Sequence, residues 1–162
     1  MPNHKDKILT TDLSQENQAI EPKQNIKITV INPKVILGKK LFFDPILSKG
    51  GTISCASCHK PEHGFADDKP VSIGIKGQKG ERNTPTVFNS ANLKLLFWDG
   101  RAASLEEQAL GPIENPIEMG ETLKGVLTKL NNNPQYVKEF AEAFGKVPIT
   151  TSQVVKAIAE FE

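Results

Sequence analysis

The stretch SCASCHKPEHGFAD, residues 54–67, contains both cysteines of the 162-residue chain and two of its three histidines. Within it Cys55-Ala-Ser-Cys58-His59 is a C-x-x-C-H, the arrangement that covalent attachment of a c-type haem requires. Two thiols three positions apart on a tight helical turn can meet the two vinyl groups of one porphyrin. The adjacent imidazole is then directed at the iron as its proximal ligand. Three other readings compete for the same residues. A thioredoxin-like redox pair wants a βαβ setting, and no strand–helix alternation surrounds residues 55–58. A zinc site wants four ligands, and beyond Cys55, Cys58 and His59 only His4, His63 and carboxylates remain. A pair of structural thiols would leave His59 unexplained.

Working outward, the composition is that of an ordinary globular domain: 38% of residues are hydrophobic, and 20 Lys+Arg balance 19 Asp+Glu to a net charge of +1. A nucleic-acid footprint would show as basic excess, so none is expected. No apolar run reaches the roughly 18 residues of a membrane span. Residues 1–25 hold no apolar stretch of the secretory-leader kind. The polar residues 1–26 read as a flexible arm, and residues 27–162 as one domain.

That domain reads as all-α with long irregular loops. Asn32-Pro33 reads as a turn or a helix start, and Val35, Ile36, Leu37, Leu41, Phe42 and Phe43 then form an apolar face at helical spacing, stopped at Asp44-Pro45. Residues 48–54 read as a loop. Pro61 to Pro85 is rich in Gly and Pro and lacks periodicity; a loop that long usually wraps a ligand or forms a site. Ser104 and Glu107 form a capping box opening a helix expected to end near Gly111-Pro112. Leu123, Val126, Leu127 and Leu130 form one helical stripe before Asn131-Asn132-Asn133. Asn133 caps a helix with Pro134 at its first position and Tyr136, Val137, Phe140 and Phe144 on its apolar face. Thr150 and Gln153 form a second capping box ahead of Val154, Val155, Ile158 and Phe161. No stop signal follows, so the chain is expected to break off within a helix.

From Asn32 onward the chain resembles the bacterial di-haem cytochrome c peroxidase family, which includes the MauG-type enzymes of methylamine utilisation. The resemblance is carried by LGKKLFFDPILS (37–48), SCASCHKPEHGFAD (54–67), SIGIKGQKGERNTPTVFN (72–89), FWDGRAASLEEQALGPI (97–113) and Glu118-Met119, in the family's order. It implies a cytochrome c-like, N-terminal, peroxide-binding domain with one covalent haem c on Cys55 and Cys58 and His59 as proximal ligand. It further implies that Glu118 is the distal carboxylate that moves a proton between the two peroxide oxygens, and that Gln108 is a polar residue of the distal pocket. Trp98 matches the aromatic placed between two haems, and Asn83 a calcium ligand at the domain interface.

Each of these has a plainer reading. Glu118 lies among Glu114 and Glu121 as a solvated acid would, Trp98 could be core, and Gln108 could face solvent from its helix. His63 reads as a surface histidine and Met119 as packing.

The chain departs from the family pattern in three ways. Where many members carry a histidine that caps the resting iron, Ile75 stands here; an aliphatic side chain cannot ligate, so a five-coordinate, high-spin iron is expected. There is no second C-x-x-C-H, so either a partner chain is expected to supply the haem domain that feeds electrons, or the chain is a fragment with weak turnover. The family implies a periplasmic home, without a visible export signal. The expected function is peroxide reduction to water with electrons from a cytochrome c or cupredoxin. The alternatives are a mono-haem electron-transfer cytochrome, or a truncated, inactive haem-binding remnant.

Overall fold

The computed structural model of the chain describes residues 32–162. The arm expected over residues 1–26 lies outside the described residues. Five α-helices carry the fold: α1 (Pro33–Phe43), α2 (Leu105–Glu114), α3 (Leu123–Asn131), α4 (Pro134–Phe144) and α5 (Thr151–Phe161). No strand occurs among the described residues, and the reading as an all-α domain holds.

The helix ends are where the local chemistry puts them. Asn32 accepts from the Lys34 N–H at 3.0 Å with Pro33 at the first helical position. Asp44 closes α1 in extended conformation before Pro45, as the residue ahead of a proline prefers. Its carboxylate accepts from the Ile46 N–H (2.8 Å) and from the buried Tyr136 hydroxyl (2.6 Å), so the end of α1 is fastened to α4. Thr150 and Gln153 make the reciprocal box at the start of α5: Gln153 Oε1 accepts from the Thr150 N–H (2.9 Å) and Thr150 Oγ1 from the Gln153 N–H (3.4 Å). The Ser104 box differs from the expected form. Ser104 Oγ accepts from the Glu107 N–H (3.1 Å), but Glu107 reaches one residue further back, to the Ala103 N–H (2.8 Å).

One boundary corrects the sequence reading. α2 does not end near Gly111-Pro112 but runs to Glu114, with Pro112 inside it. Pro112 forgoes one backbone bond, but Ile113 is 2% exposed in the core, and that burial outweighs the loss so near the helix end.

The core is built where α1 crosses α5. Gly38 lets the two backbones touch: a Cβ placed there would lie 1.8 Å from the Ala157 carbonyl oxygen. Around this crossing Leu41, Phe42, Leu130, Phe140, Val154 and Ile158 are almost fully buried. Side-chain bonds replace secondary structure at the joints. Asn131 accepts from the Ile149 N–H (2.8 Å) and donates to the Ile149 carbonyl (3.1 Å), fixing the α4–α5 connection against α3.

The rest of the chain, from Ser48 to Ala103, has no long helix. Single helical turns and three isolated antiparallel bridges, Lys60 to Ala66, Ile73 to Lys79 and Leu96 to Ala102, shape it into a succession of tight loops. Phe65, Lys76, Asn89 and Phe97 take positive φ in these loops, conformations that non-glycine residues rarely adopt.

Candidate functional site

Cys55, Cys58 and His59 sit on one turn. The Cys58 and His59 N–H groups both donate to the Cys55 carbonyl (3.1 and 2.9 Å), and Ser54 N–H donates to Ser57 Oγ (3.0 Å) at the start. Buried Ser48 delivers the chain to this turn: its hydroxyl donates to the Pro45 carbonyl (2.9 Å) and accepts from the Thr52 and Ile53 N–H groups (3.1 Å each). All three motif side chains line one cavity of about 540 Å³, within the ~300–1,000 Å³ typical of cofactor pockets.

The imidazole is held at one nitrogen. His59 Nδ1 lies 3.0 Å from the Pro85 carbonyl oxygen and 3.2 Å from that of Phe65. Carbonyls only accept, so Nδ1 carries the proton and Nε2 keeps its lone pair. Burial lowers the His59 pKa, favouring the neutral, ligating form. Phe42 packs beside the ring with centroids 6.1 Å apart.

The thiols are not set up for exchange chemistry. Burial pushes Cys55 up to about 12 and raises Cys58 as well, whereas a redox C-x-x-C needs a depressed thiol pKa. Among the described residues, no group of three or more His, Cys, Asp or Glu side chains is arranged to hold a metal ion.

The other residues singled out from the sequence line the same cavity: Glu118, Gln108, Trp98 and Asn83. Glu118 is half-buried, and its Oε1 accepts from Asn115 Nδ2 at 2.8 Å. Burial raises its carboxyl pKa, against the opposing pull of the Asn115 hydrogen bond and the Arg101 charge. Trp98 is 64% exposed at the cavity wall, its indole N–H donating to the Asn83 carbonyl (2.8 Å). The Asn83 amide donates to the Lys69 carbonyl (2.8 Å). Met119 is buried in the core and also lines the cavity; His63 is exposed and lies apart from it.

Ile75 is buried but is not among the lining residues. Its N–H donates to the Glu118 carbonyl (2.7 Å), so it supports the Glu118 backbone from behind. Gly74 permits this approach, since a Cβ there would lie 2.0 Å from the Ile117 carbonyl oxygen.

Two residues of the site escaped the sequence reading. Asn115 closes α2 and bridges the Ile117 N–H (3.1 Å) to the Glu118 carboxylate. Its place three residues before Glu118 was the available signal. Arg101 lies over the Phe97 ring, 3.4 Å from its centroid, and pairs with Asp99 (2.8 Å) at the cavity wall.

The family model described as di-haem cytochrome c peroxidase matches residues 32–162. The chain belongs to the di-haem cytochrome c peroxidase family. It is 48% identical over 146 residues to the cytochrome c551 peroxidase of Nitrosomonas europaea, covering 89% of this chain and 44% of that protein. It is 40% identical over 129 residues to the methylamine utilization protein MauG of Methylophilus methylotrophus, covering 80% and 38%. Among solved structures it resembles a MauG-like protein associated with microbial copper homeostasis. That match has a TM-score of 0.74 at 35% identity over 81% of this chain and 40% of that one. The diheme peroxidase BthA of Burkholderia thailandensis matches with a TM-score of 0.71 at 29% identity, over 79% and 37%. The chain thus spans less than half the length of these relatives.

Membership of this family implies haem c, and the residues present fit it. Two thiols and one imidazole with a free Nε2 face a single cavity of cofactor size, walled largely by apolar side chains such as Leu96, Ile113 and Ile158. The buried Ser90 hydroxyl, on the cavity wall, has no hydrogen-bond partner among the described residues, a polar demand that a bound group with carboxylates could answer.

Proposed function

We propose that the chain is a peroxide-reducing haem c domain, with haem attached through Cys55 and Cys58 and ligated by His59 Nε2. The observation that carries this reading is the meeting, in one cavity, of a C-x-x-C-H turn whose histidine is fixed at Nδ1 and a half-buried carboxylic acid, Glu118. When bound, the haem supplies the redox centre for the two electrons that turn hydrogen peroxide and two protons into two waters. The chain's residues supply orientation and protons. Glu118 takes the proton from one peroxide oxygen and returns it to the other, which departs as water. Burial suits it to this exchange, because a raised pKa brings the acid nearer the working range. Asn115 holds Glu118 Oε1, leaving Oε2 for the substrate. Gln108 orients the peroxide through its amide.

Electrons come from a cytochrome c or a cupredoxin, passing Trp98, which reaches from cavity wall to surface. A second haem domain, on another stretch of chain or another molecule, completes the route. Calcium binds at Asn83 with ligands from that domain. Because haem c is attached outside the cytoplasmic membrane, the protein works in the periplasm.

A second reading has one observation in its favour. Met119 also lines the cavity, so the chain could be an electron carrier with Met119 as sixth ligand. The iron's coordination separates the two. The loaded protein is expected to contain one covalent haem by pyridine haemochrome assay and a five-coordinate, high-spin ferric iron. Glu118→Gln should lower peroxide turnover by about 10²–10⁴-fold, the span of general acid–base catalysis. A His–Met spectrum, or turnover unchanged in Glu118→Gln, would overturn the peroxidase reading.

A further inference from the structure

The two carbonyls that hold His59 Nδ1 belong to different loops, each shaped by no more than a single helical turn and one isolated bridge. Phe65 ends the loop bridged by Lys60 and Ala66; Pro85 follows the segment that bridges Ile73 to Lys79. One carboxylate joins them. The Asp67 side chain is 2% exposed and lies two residues beyond Phe65. It accepts from Lys60 Nζ (2.9 Å), from the Lys69 N–H (3.2 Å) and from Ser72 Oγ (2.5 Å).

Ser72 Oγ is in turn 2.5 Å from Thr84 Oγ1. The Ser72 proton is committed to the carboxylate, so Thr84 is the donor in that pair. The chain of bonds therefore runs from the Thr84 hydroxyl to Ser72 to Asp67, and Thr84 is the residue just before Pro85. The Asp67 N–H also donates to the Thr84 carbonyl (3.4 Å).

We propose that Asp67 is a positioning residue for the His59 imidazole, cross-linking through Ser72 and Thr84 the two loops whose carbonyls share its Nδ1 proton. The inference rests on His59 as iron ligand and extends that reading. Hydrogen bonding at the outer nitrogen of a ligating histidine sets the ring's orientation and raises its basicity. Asp67 thus acts on the iron at a distance, touching neither the metal nor the imidazole. A buried carboxylate with several donors is a costly arrangement to leave without a use, and its role here is to replace missing secondary structure behind the ligand.

The test uses the haem-loaded chain and reads the iron–histidine stretching mode by resonance Raman and the midpoint potential by redox titration. Thr84→Val removes one hydroxyl at nearly constant volume, and Thr84→Ser retains it. Asp67→Asn should lower the stretching frequency and raise the potential, and Thr84→Val should move both in the same directions. Thr84→Ser should match the wild type. If Asp67→Asn does not load haem, Thr84→Val decides the matter. Wild-type values in loaded Asp67→Asn or in Thr84→Val would overturn the proposal, as would an equal displacement in Thr84→Ser. A wild-type protein with attached haem but no iron–histidine mode would instead overturn the ligand assignment of His59.

Discussion

Glu118 carries opposing demands at a single carboxyl group. Burial raises its pKa above the ordinary 4.5, while Asn115 and the Arg101 charge pull it down. In the folded protein it therefore binds its proton more tightly than in the unfolded chain. The linkage sign follows: as pH rises from the unfolded pKa through the folded one, the folded state loses stability, because it must then hold a charge in a half-buried site. Glu118→Gln keeps an oxygen for the Asn115 amide and cannot ionise. Thermal melts of the two proteins should coincide below about pH 4, and the Gln variant should be the more stable above the carboxyl range. A gap that shrinks with rising pH would show that Glu118 is stabilised as an anion. At this scale the sequence was informative unevenly. Cys55, Cys58 and His59 stand out by spacing alone, since C-x-x-C-H is the pattern that covalent haem attachment demands. Glu118 could not, being one of three acids within eight residues. Its setting depends on Gly74 and Ile75, more than forty positions away, and no local pattern encodes that contact.

Helices were legible because their ends carry chemistry that acts over three or four residues. Thr150 and Asn133 cap where a cap was expected, and Val126, Leu130, Tyr136 and Phe140 of the two stripes are buried. Pro112 misled because a long-range term, burial of Ile113, outweighed a local one. The turns from Ser48 to Ala103 were illegible because no local pattern marks the positive φ of Phe65 and Phe97, whose rings pack against residues distant in sequence, Phe65 on Phe42 and Phe88. Phe97 lies against Gly111, where a Cβ would come within 2.9 Å of the ring, and under Arg101. The α1–α5 crossing gives the sharpest test at this scale. In Gly38→Ala the new methyl would meet backbone at 1.8 Å, which neither helix can yield without separating. Alanine favours a helix by up to about 1 kcal/mol over glycine, yet overpacking against backbone should exceed that and destabilise by about 3 kcal/mol or more. Gly125→Ala in α3 meets side-chain atoms alone, the Glu121 carboxylate and the Thr122 hydroxyl (3.1 Å), and no backbone. Its effect should stay within about 1 kcal/mol. Urea melts of the pair would refute the close-crossing argument if the two variants lost equal stability.

Across the whole molecule the cavity divides two kinds of structure. On one side α1, α3, α4 and α5 pack through buried side chains; on the other, residues 60–102 are held by isolated bridges, single turns and polar ties such as Asp67. Ordering a backbone residue costs about 1–2 kcal/mol, and the loops recover that from few apolar contacts of their own. A tethered haem would give them a common surface, so its effect on stability should be concentrated there. The amides that report it are Lys60, Gly80 and Leu96, which donate to Ala66, Ser72 and Ala102 across the loop necks. Hydrogen exchange at these three should slow by at least about tenfold when haem is attached, equivalent to about 1.4 kcal/mol of added local stability. Amides of Leu41 and Phe140, deep in the helical core, should change far less. A Cys55→Ala/Cys58→Ala protein, which cannot form the thioethers, supplies the unloaded reference. Equal slowing at all five positions would mean that haem stabilises the molecule as one unit, and that the loops are part of the same cooperative core as the helices.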